Sequence, residues 1–348
     1  MKPDIKEILS IKYPIIQAPM AGGITTTELV ASVSNAGGLG MIGAGYMSAS
    51  QLQAQIKEVK LQTSNPFGVN LFIPNQFENS AQKNAEAENL LKQIEDELNI
   101  TDKYVDLPAF KEERERFYNQ LQILIEEKVP ICSFTFGLPE KGISDNLKKH
   151  GILLIGTATT VKEAQLNEKS GMDAVVVQGM EAGGHRGSFT LEGEEKLIGL
   201  MSLIPQAADH VTIPVIAAGG IMDRRGYLAS FSLGAQAVQM GTAFLSCKES
   251  GAHLLHKKAI LNASDQDTVL TASFSGKQAR GIHNRFISLL QKHEDNLPDY
   301  PIQNSLTKKI RAASAAQGTS EYMSLWSGQS PMLAKDQTVK ELINNLIR

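Results

Sequence analysis

The sequence predicts an α/β fold: a (β/α)8 barrel with a helical insertion after the third strand and a C-terminal lid segment. Three observations predict it. Eight short apolar runs recur along the 348 residues, each bounded by turn residues. Segments with helical spacing and polar outer faces lie between them, the pattern of repeated βα units. The late runs end directly in glycine-rich loops, where barrels place their phosphate sites. A doubly wound sheet is the alternative, usually with fewer strands and its glycine loop after the first.

The runs cover residues 14–18, 39–44, 67–72, 131–136, 152–156, 174–177, 213–218 and 237–241. Their near-continuous apolarity suits strands buried on both faces. Helical character follows at 28–36, 50–61, 139–150, 161–170 and 223–233. The third connection, 73–128, is too long for one crossover and carries two charged helical stretches, 80–98 and 109–127. One is the barrel helix and the other an insertion, within about 75–127. The stripe of Leu90, Leu91, Ile94 and Leu98 reads as a helix packed on the barrel. Near the end, Val339, Leu342, Ile343, Leu346 and Ile347 follow helical spacing and supply the eighth barrel helix. The barrel then takes 1–245 and 333–348. Residues 246–332 form a lid or substrate subdomain beside the mouth, since they follow a strand's C-terminal end.

Composition excludes several function classes. Hydrophobic residues at 42% and charged residues at 20% describe a globular chain with ample core. A formal net charge of −3 without a basic block gives no footprint for nucleic acid. No apolar stretch reaches the roughly 18 residues of a membrane span, and the first residues lack a secretory core, so a cytoplasmic protein is expected. Cys132 and Cys247 stand too far apart for a CxxC motif and read as buried thiols.

Gly38-Leu-Gly-Met-Ile-Gly43 matches G-x-G-x-x-G literally. A dinucleotide site needs strand, glycine turn and then helix, whereas here the helix precedes the glycines. The glycines of interest come later. Gly219, Gly220, Gly241 and Thr242 follow the seventh and eighth runs, where backbone N–H groups can approach a phosphate. Glu181-Ala-Gly-Gly-His-Arg-Gly187 places His185 just past the sixth run, as a general base or hydrogen-bond donor at the mouth. Arg186 beside it offers a fixed cation for an anionic substrate. Tyr300, in the lid, is expected to point at the substrate. His253 and His256 are three apart, but no carboxylate or cysteine joins them at ligand spacing, so no metal is expected.

Taken together, Gln17-Ala-Pro-Met-Ala-Gly-Gly23, Ser34-Asn-Ala-Gly-Gly-Leu-Gly40, Phe67-Gly-Val-Asn70, Glu181 to Gly187, Ala217-Ala-Gly-Gly-Ile221 and Gln239-Met-Gly-Thr242 resemble the flavin-dependent nitronate monooxygenases, formerly 2-nitropropane dioxygenases. The resemblance covers nearly the whole chain. It implies an FMN-binding TIM barrel, with Asn70, Gln178, Gly183, Gly220 and Gln239 to Thr242 (Gln239, Met240, Gly241, Thr242) at the FMN. Ala18, Pro19 and Met20 would lie along the isoalloxazine, and His185 would be the catalytic histidine. The implied reaction takes an alkyl nitronate, such as propionate-3-nitronate, and O2 to a carbonyl compound and nitrite. His185 would remove the α-proton of a neutral nitroalkane or only orient a preformed nitronate. The FMN-dependent enoyl-(acyl-carrier-protein) reductases look similar in three of these elements, and NAD(P)H:quinone reductases are related. A flavin-binding protein without turnover is a further alternative, disfavoured by the intact His185. The resemblance does not reach the oligomeric state.

Overall fold

A computed structural model describes residues 3–102, 104–190 and 196–348. Each apolar run forms a strand: β1 (Ile15–Gln17), β2 (Gly40–Gly43), β3 (Phe67–Phe72), β4 (Ile131–Thr135), β5 (Leu153–Ala158), β6 (Ala174–Gln178), β7 (Val215–Ala218) and β8 (Ala237–Met240). Neighbours pair in parallel from β2 through β8, and β1 pairs with β8. A parallel bridge between Ile16 and Leu39 closes the ring. The fully buried Gln17 reinforces that closure, its Oε1 accepting from the Met41 N–H at 3.0 Å.

Why the runs are continuous rather than alternating is visible in β6 and β7. Val175, Val177, Val215 and Ala217 face the surrounding helices, whereas Ala174, Val176, Ile216 and Ala218 face the barrel interior. Both faces are dry, so both sets are apolar. A short helix that the sequence reading did not assign, Ile5–Leu9, packs Ile5 and Leu9 against the interior set. The helix Val339–Ile347 completes the outer ring by packing on the helices Thr27–Asn35 and Arg224–Ser232.

The glycines at 38–43 serve packing. A Cβ on Gly40 would lie 2.2 Å from the Val30 carbonyl oxygen, and one on Gly43 would lie 2.7 Å from the Met20 carbonyl carbon. They let a helix and the first loop approach β2, which is a structural use of the pattern.

The third connection holds one barrel helix and one insertion helix, but the stripe of the latter packs elsewhere than expected. The helix Phe110–Glu126 packs on β3 and on the helix Ala49–Gln62, and so is the barrel helix. The helix Ala81–Glu97 does not lay its apolar stripe on the barrel. Ala87, Leu91, Ile94 and Leu98 instead join Phe274, Phe286, Ile287, Leu290, Ile302, Leu306 and Ile310 of the C-terminal segment in one core. Polar links tie the same two pieces: Glu97 meets Arg285 at 2.8 Å and Tyr322 at 2.5 Å, and Lys309 meets Glu95 at 2.9 Å. Periodicity shows that a helix has an apolar face but not which surface covers it. Among the described residues, no helix is long and apolar enough to cross a membrane. Cys132 and Cys247 are buried and free.

Candidate active site

The strand ends and the C-terminal segment enclose a cavity of about 430 Å³, within the range of cofactor and small-molecule sites. Ala18, Pro19 and Met20 after β1, Asn70 on β3 and Gln178 at the end of β6 line it. So do Gly183, His185, Gly219, Gly220, Gln239, Met240, Gly241 and Thr242. Residues far apart in sequence thus meet because all lie at C-terminal strand ends.

Gly219 and Gly220 have φ of +130° and +65°, backbone that L side chains rarely adopt. A Cβ at Gly220 would sit 3.2 Å from the Glu181 Cβ and 3.6 Å from the Ser330 Oγ. The space is a cradle with glycine backbone, the Ser330 hydroxyl and the start of the short helix Thr242–Leu245 around it. These groups fit a phosphate-bearing cofactor. Thr242 Oγ1 accepts from the Gly328 N–H at 3.0 Å, fastening the cradle to the C-terminal segment.

His185 lies in a two-residue strand, Gly184–His185, rather than in a free loop. It pairs with Ala279–Ile282, which pairs with Thr268–Thr271 in an antiparallel sheet of the C-terminal segment. Gln178 clamps the turn from below: its Nε2 donates to the His185 carbonyl at 3.0 Å and its Oε1 accepts from the Gly187 N–H at 2.8 Å. The imidazole Nε2 stands 2.8 Å from Ser275 Oγ. That hydroxyl also lies 3.1 Å from the Lys277 carbonyl, which ties the ring to the turn at Ser275–Lys277. Burial, and then the charges of Lys277 and Arg311, lower the His185 pKa to about 3, so the ring is neutral at physiological pH. Aromatic rings surround it, with centroids of Trp326, Tyr300 and Phe136 at 5.4, 5.9 and 6.1 Å.

Arg186 does not reach the cavity, which corrects the expectation for it. Its side chain is fully buried, and its Nη1 donates to the Gly179 carbonyl at 2.7 Å. Successive residues of an extended segment point to opposite sides, so His185 and Arg186 cannot both face the mouth. Tyr300 lies in the wall between this cavity and a second one of about 560 Å³. Its hydroxyl approaches that of Tyr46, which lines the first cavity. His256 Nε2–H donates to the Trp326 carbonyl, 2.9 Å away, and the Nδ1 of His253 caps its own helix by accepting from the Leu255 N–H. Among the described residues, no cluster of three or more metal-ligating side chains occurs.

Sequence reasoning missed Tyr46, Ser275 as a histidine partner, Arg311 and Trp326. Tyr46 had a usable signal, three residues past β2 and hence at the mouth. The other three come from a segment whose path no local pattern reveals.

A (β/α)8 barrel with a glycine cradle and a cofactor-sized cavity at its mouth belongs with the flavin-dependent barrel oxidoreductases, as the comparisons show. The chain belongs to the nitronate monooxygenase family, whose model matches residues 2–348. A probable nitronate monooxygenase of Staphylococcus haemolyticus (strain JCSC1435) is 52% identical, over 99% of this chain and 95% of its own length. One from Staphylococcus aureus (strain MSSA476) is 50% identical, over 99% and 96%. Among solved structures, the nitroalkane oxidase from Streptomyces ansochromogenes superposes with a TM-score of 0.90 at 36% identity, covering 99% of this chain and 96% of that one. FabK from Thermotoga maritima follows at 0.77 and 32%, covering 100% and 95%.

Proposed function

We propose that this enzyme oxidises alkyl nitronates, with FMN and O2, to a carbonyl compound and nitrite. The observation that carries the reading is a neutral histidine in the same enclosed cavity as the glycine cradle, in a chain of this family. Gly219, Gly220, Gly241 and Thr242 would hold the phosphate of FMN. Ala18, Pro19, Met20, Asn70, Gln178, Gly183, Gln239 and Met240 would hold the rest. Bound FMN supplies the electron-accepting chemistry.

The chain's own residues bind and orient. Ser275 and Gln178 fix the His185 ring and turn. A ring with a pKa of about 3 is a weak acceptor for a carbon-bound proton, so the preformed nitronate is the preferred substrate form. The rings of Phe136, Tyr300 and Trp326 around it exclude water.

The test is anaerobic mixing of the flavin-loaded protein with propionate-3-nitronate, and separately with NADH and NADPH, while the flavin spectrum is recorded. A spectral change with the nitronate alone, and nitrite on admission of air, is expected. Bleaching by a reduced nicotinamide but not by the nitronate would overturn the reading.

A further inference from the structure

The second cavity, of about 560 Å³, lies between the loop after β3, the helix Phe110–Glu126 and the C-terminal segment. Nothing in the cofactor reading uses it. Phe72 and Phe136 line both cavities, and Tyr300 lines the second. The partition is built from side chains. Phe136 meets Phe72 with ring centroids 4.7 Å apart and Tyr300 at 5.7 Å, and Tyr46 stands edge-on to Phe72 at 5.7 Å. The His185 ring lies 6.1 Å from that of Phe136, so the second cavity begins one ring's thickness from the candidate reacting centre.

Phe136 is the unusual residue in that partition. It is 3% exposed, and its φ of +72° lies in the left-handed region, which bulky residues rarely adopt. The loop after β3 braces the turn: Asn75 Nδ2 donates to the Phe136 carbonyl at 2.8 Å and to the Ile73 carbonyl at 3.2 Å. A Cβ on the following Gly137 would lie 2.9 Å from Ile73 Cγ2. Glycine would take the φ of residue 136 freely, so backbone strain is accepted in order to set a ring there. Beyond the partition the lining is apolar, with Ile73, Phe77, Phe117, Phe189 and Pro301. The charges of that cavity are already engaged or at its surface. Glu113 pairs with Arg116, the Lys277 ammonium lies 5.0 Å from the Phe136 ring centroid and 3.4 Å from the Ser188 carbonyl, and Asp299 is exposed. The interior suits an uncharged, apolar ligand.

We propose that the second cavity binds a long alkyl chain on the substrate, with Phe136 as the gate between that chain and the reacting end. A substrate lying across the partition keeps its nitronate carbon beside His185 and runs its chain past the displaced Phe136 ring, among Phe77, Phe117 and Phe189. Moving the ring lets residue 136 leave the left-handed region, which offsets part of the packing that is lost. The chain leaves water for apolar surface, a gain of about fourfold in affinity per fully buried methylene. The proposal rests on the nitronate reading for the identity of the reacting end only. The apolar chain follows from the second cavity itself.

The experiment compares octyl-1-nitronate with propyl-1-nitronate in the flavin-loaded wild type, Ala272→Trp and Phe136→Gly. Ala272 lines the second cavity and not the first, so tryptophan there fills the second. In the wild type, kcat/KM should be about 10- to 1,000-fold higher for the octyl compound, which buries up to five more methylenes. Ala272→Trp should lower that ratio at least tenfold, to about one at the limit. Phe136→Gly, which suits the backbone and removes the ring, should raise it. 1-Octanol, which has the chain without the nitronate, should inhibit turnover of the octyl compound and leave that of the propyl compound unchanged. A wild type with no preference for the longer chain, or a ratio unmoved by Ala272→Trp, overturns the proposal. So does 1-octanol that inhibits both substrates equally or neither. A lower ratio in Phe136→Gly overturns the gate. If neither nitronate is turned over, the nitronate reading falls, and calorimetric titration with 1-octanol decides the cavity. Binding to the wild type that is lost in Ala272→Trp upholds the chain site, and binding that is absent from the wild type or unchanged in the variant overturns it.

Discussion

Replacing Leu91 by alanine tests whether the insertion helix and the C-terminal segment are one body. Leu91 is 1% exposed, and its neighbours in the core include Phe286, Leu290, Ile302 and Ile310 but no barrel strand. A buried Leu→Ala change costs about 3 kcal/mol, the lost transfer energy plus the residual cavity. If that core opens as a unit, its opening equilibrium should shift by roughly 150-fold, at about 1.4 kcal/mol per factor of ten. Hydrogen exchange read by mass spectrometry is the assay. Peptides covering 81–97 and 285–310 should accelerate together by that factor, while those covering 131–135 and 174–178 stay at the wild-type rate. Acceleration confined to 81–97 would mean that the helix is an appendage. Equal acceleration of the β4 and β6 peptides would mean that no separate body exists.

Ser275→Ala should retain the flavin and lower kcat on propionate-3-nitronate by about 10- to 100-fold, because His185 loses the hydrogen-bond partner that holds its ring in place. Ser275→Thr should restore most of it; a change in KM alone would refute the positioning argument. Acid should destabilise the fold through His256, which is 4% exposed and whose pKa burial lowers from 6.5 to about 4. The unfolded chain takes up that proton below about pH 6.5 while the folded one does not, so stability falls with pH from there to about 4. Its share at pH 5 is roughly 2 kcal/mol. His256→Gln should shrink the difference between urea unfolding free energies at pH 7 and pH 5 by about that amount, and an undiminished difference would count against it.

All eight strands were legible to within two residues, because a parallel strand covered on both faces leaves a dense apolar signal that needs no partner to be recognised. The cradle glycines and His185 were legible for a related reason: their sequence position fixes their distance past a strand end, and that end defines the mouth. Arg186 failed because the two-residue strand at 184–185 exists only through pairing with Ala279–Ile282, about ninety residues on, and that pairing decides which of two neighbours faces the cavity. The stripe on Ala81–Glu97 failed in the same way, since an apolar face does not name its cover. What stayed hidden were orientations imposed by long-range contacts.

Those contacts separate two duties within one cavity. The βα loops supply the glycine cradle and the first loop, whereas Ser275, Tyr300, Arg311 and Trp326 come from the C-terminal segment. That segment has its own core, shared with the insertion helix rather than with the strands. A substitution there can alter what meets His185 without disturbing the backbone at Gly219 and Gly220, which hangs from β7. The fold can therefore keep one cofactor position while the substrate end changes.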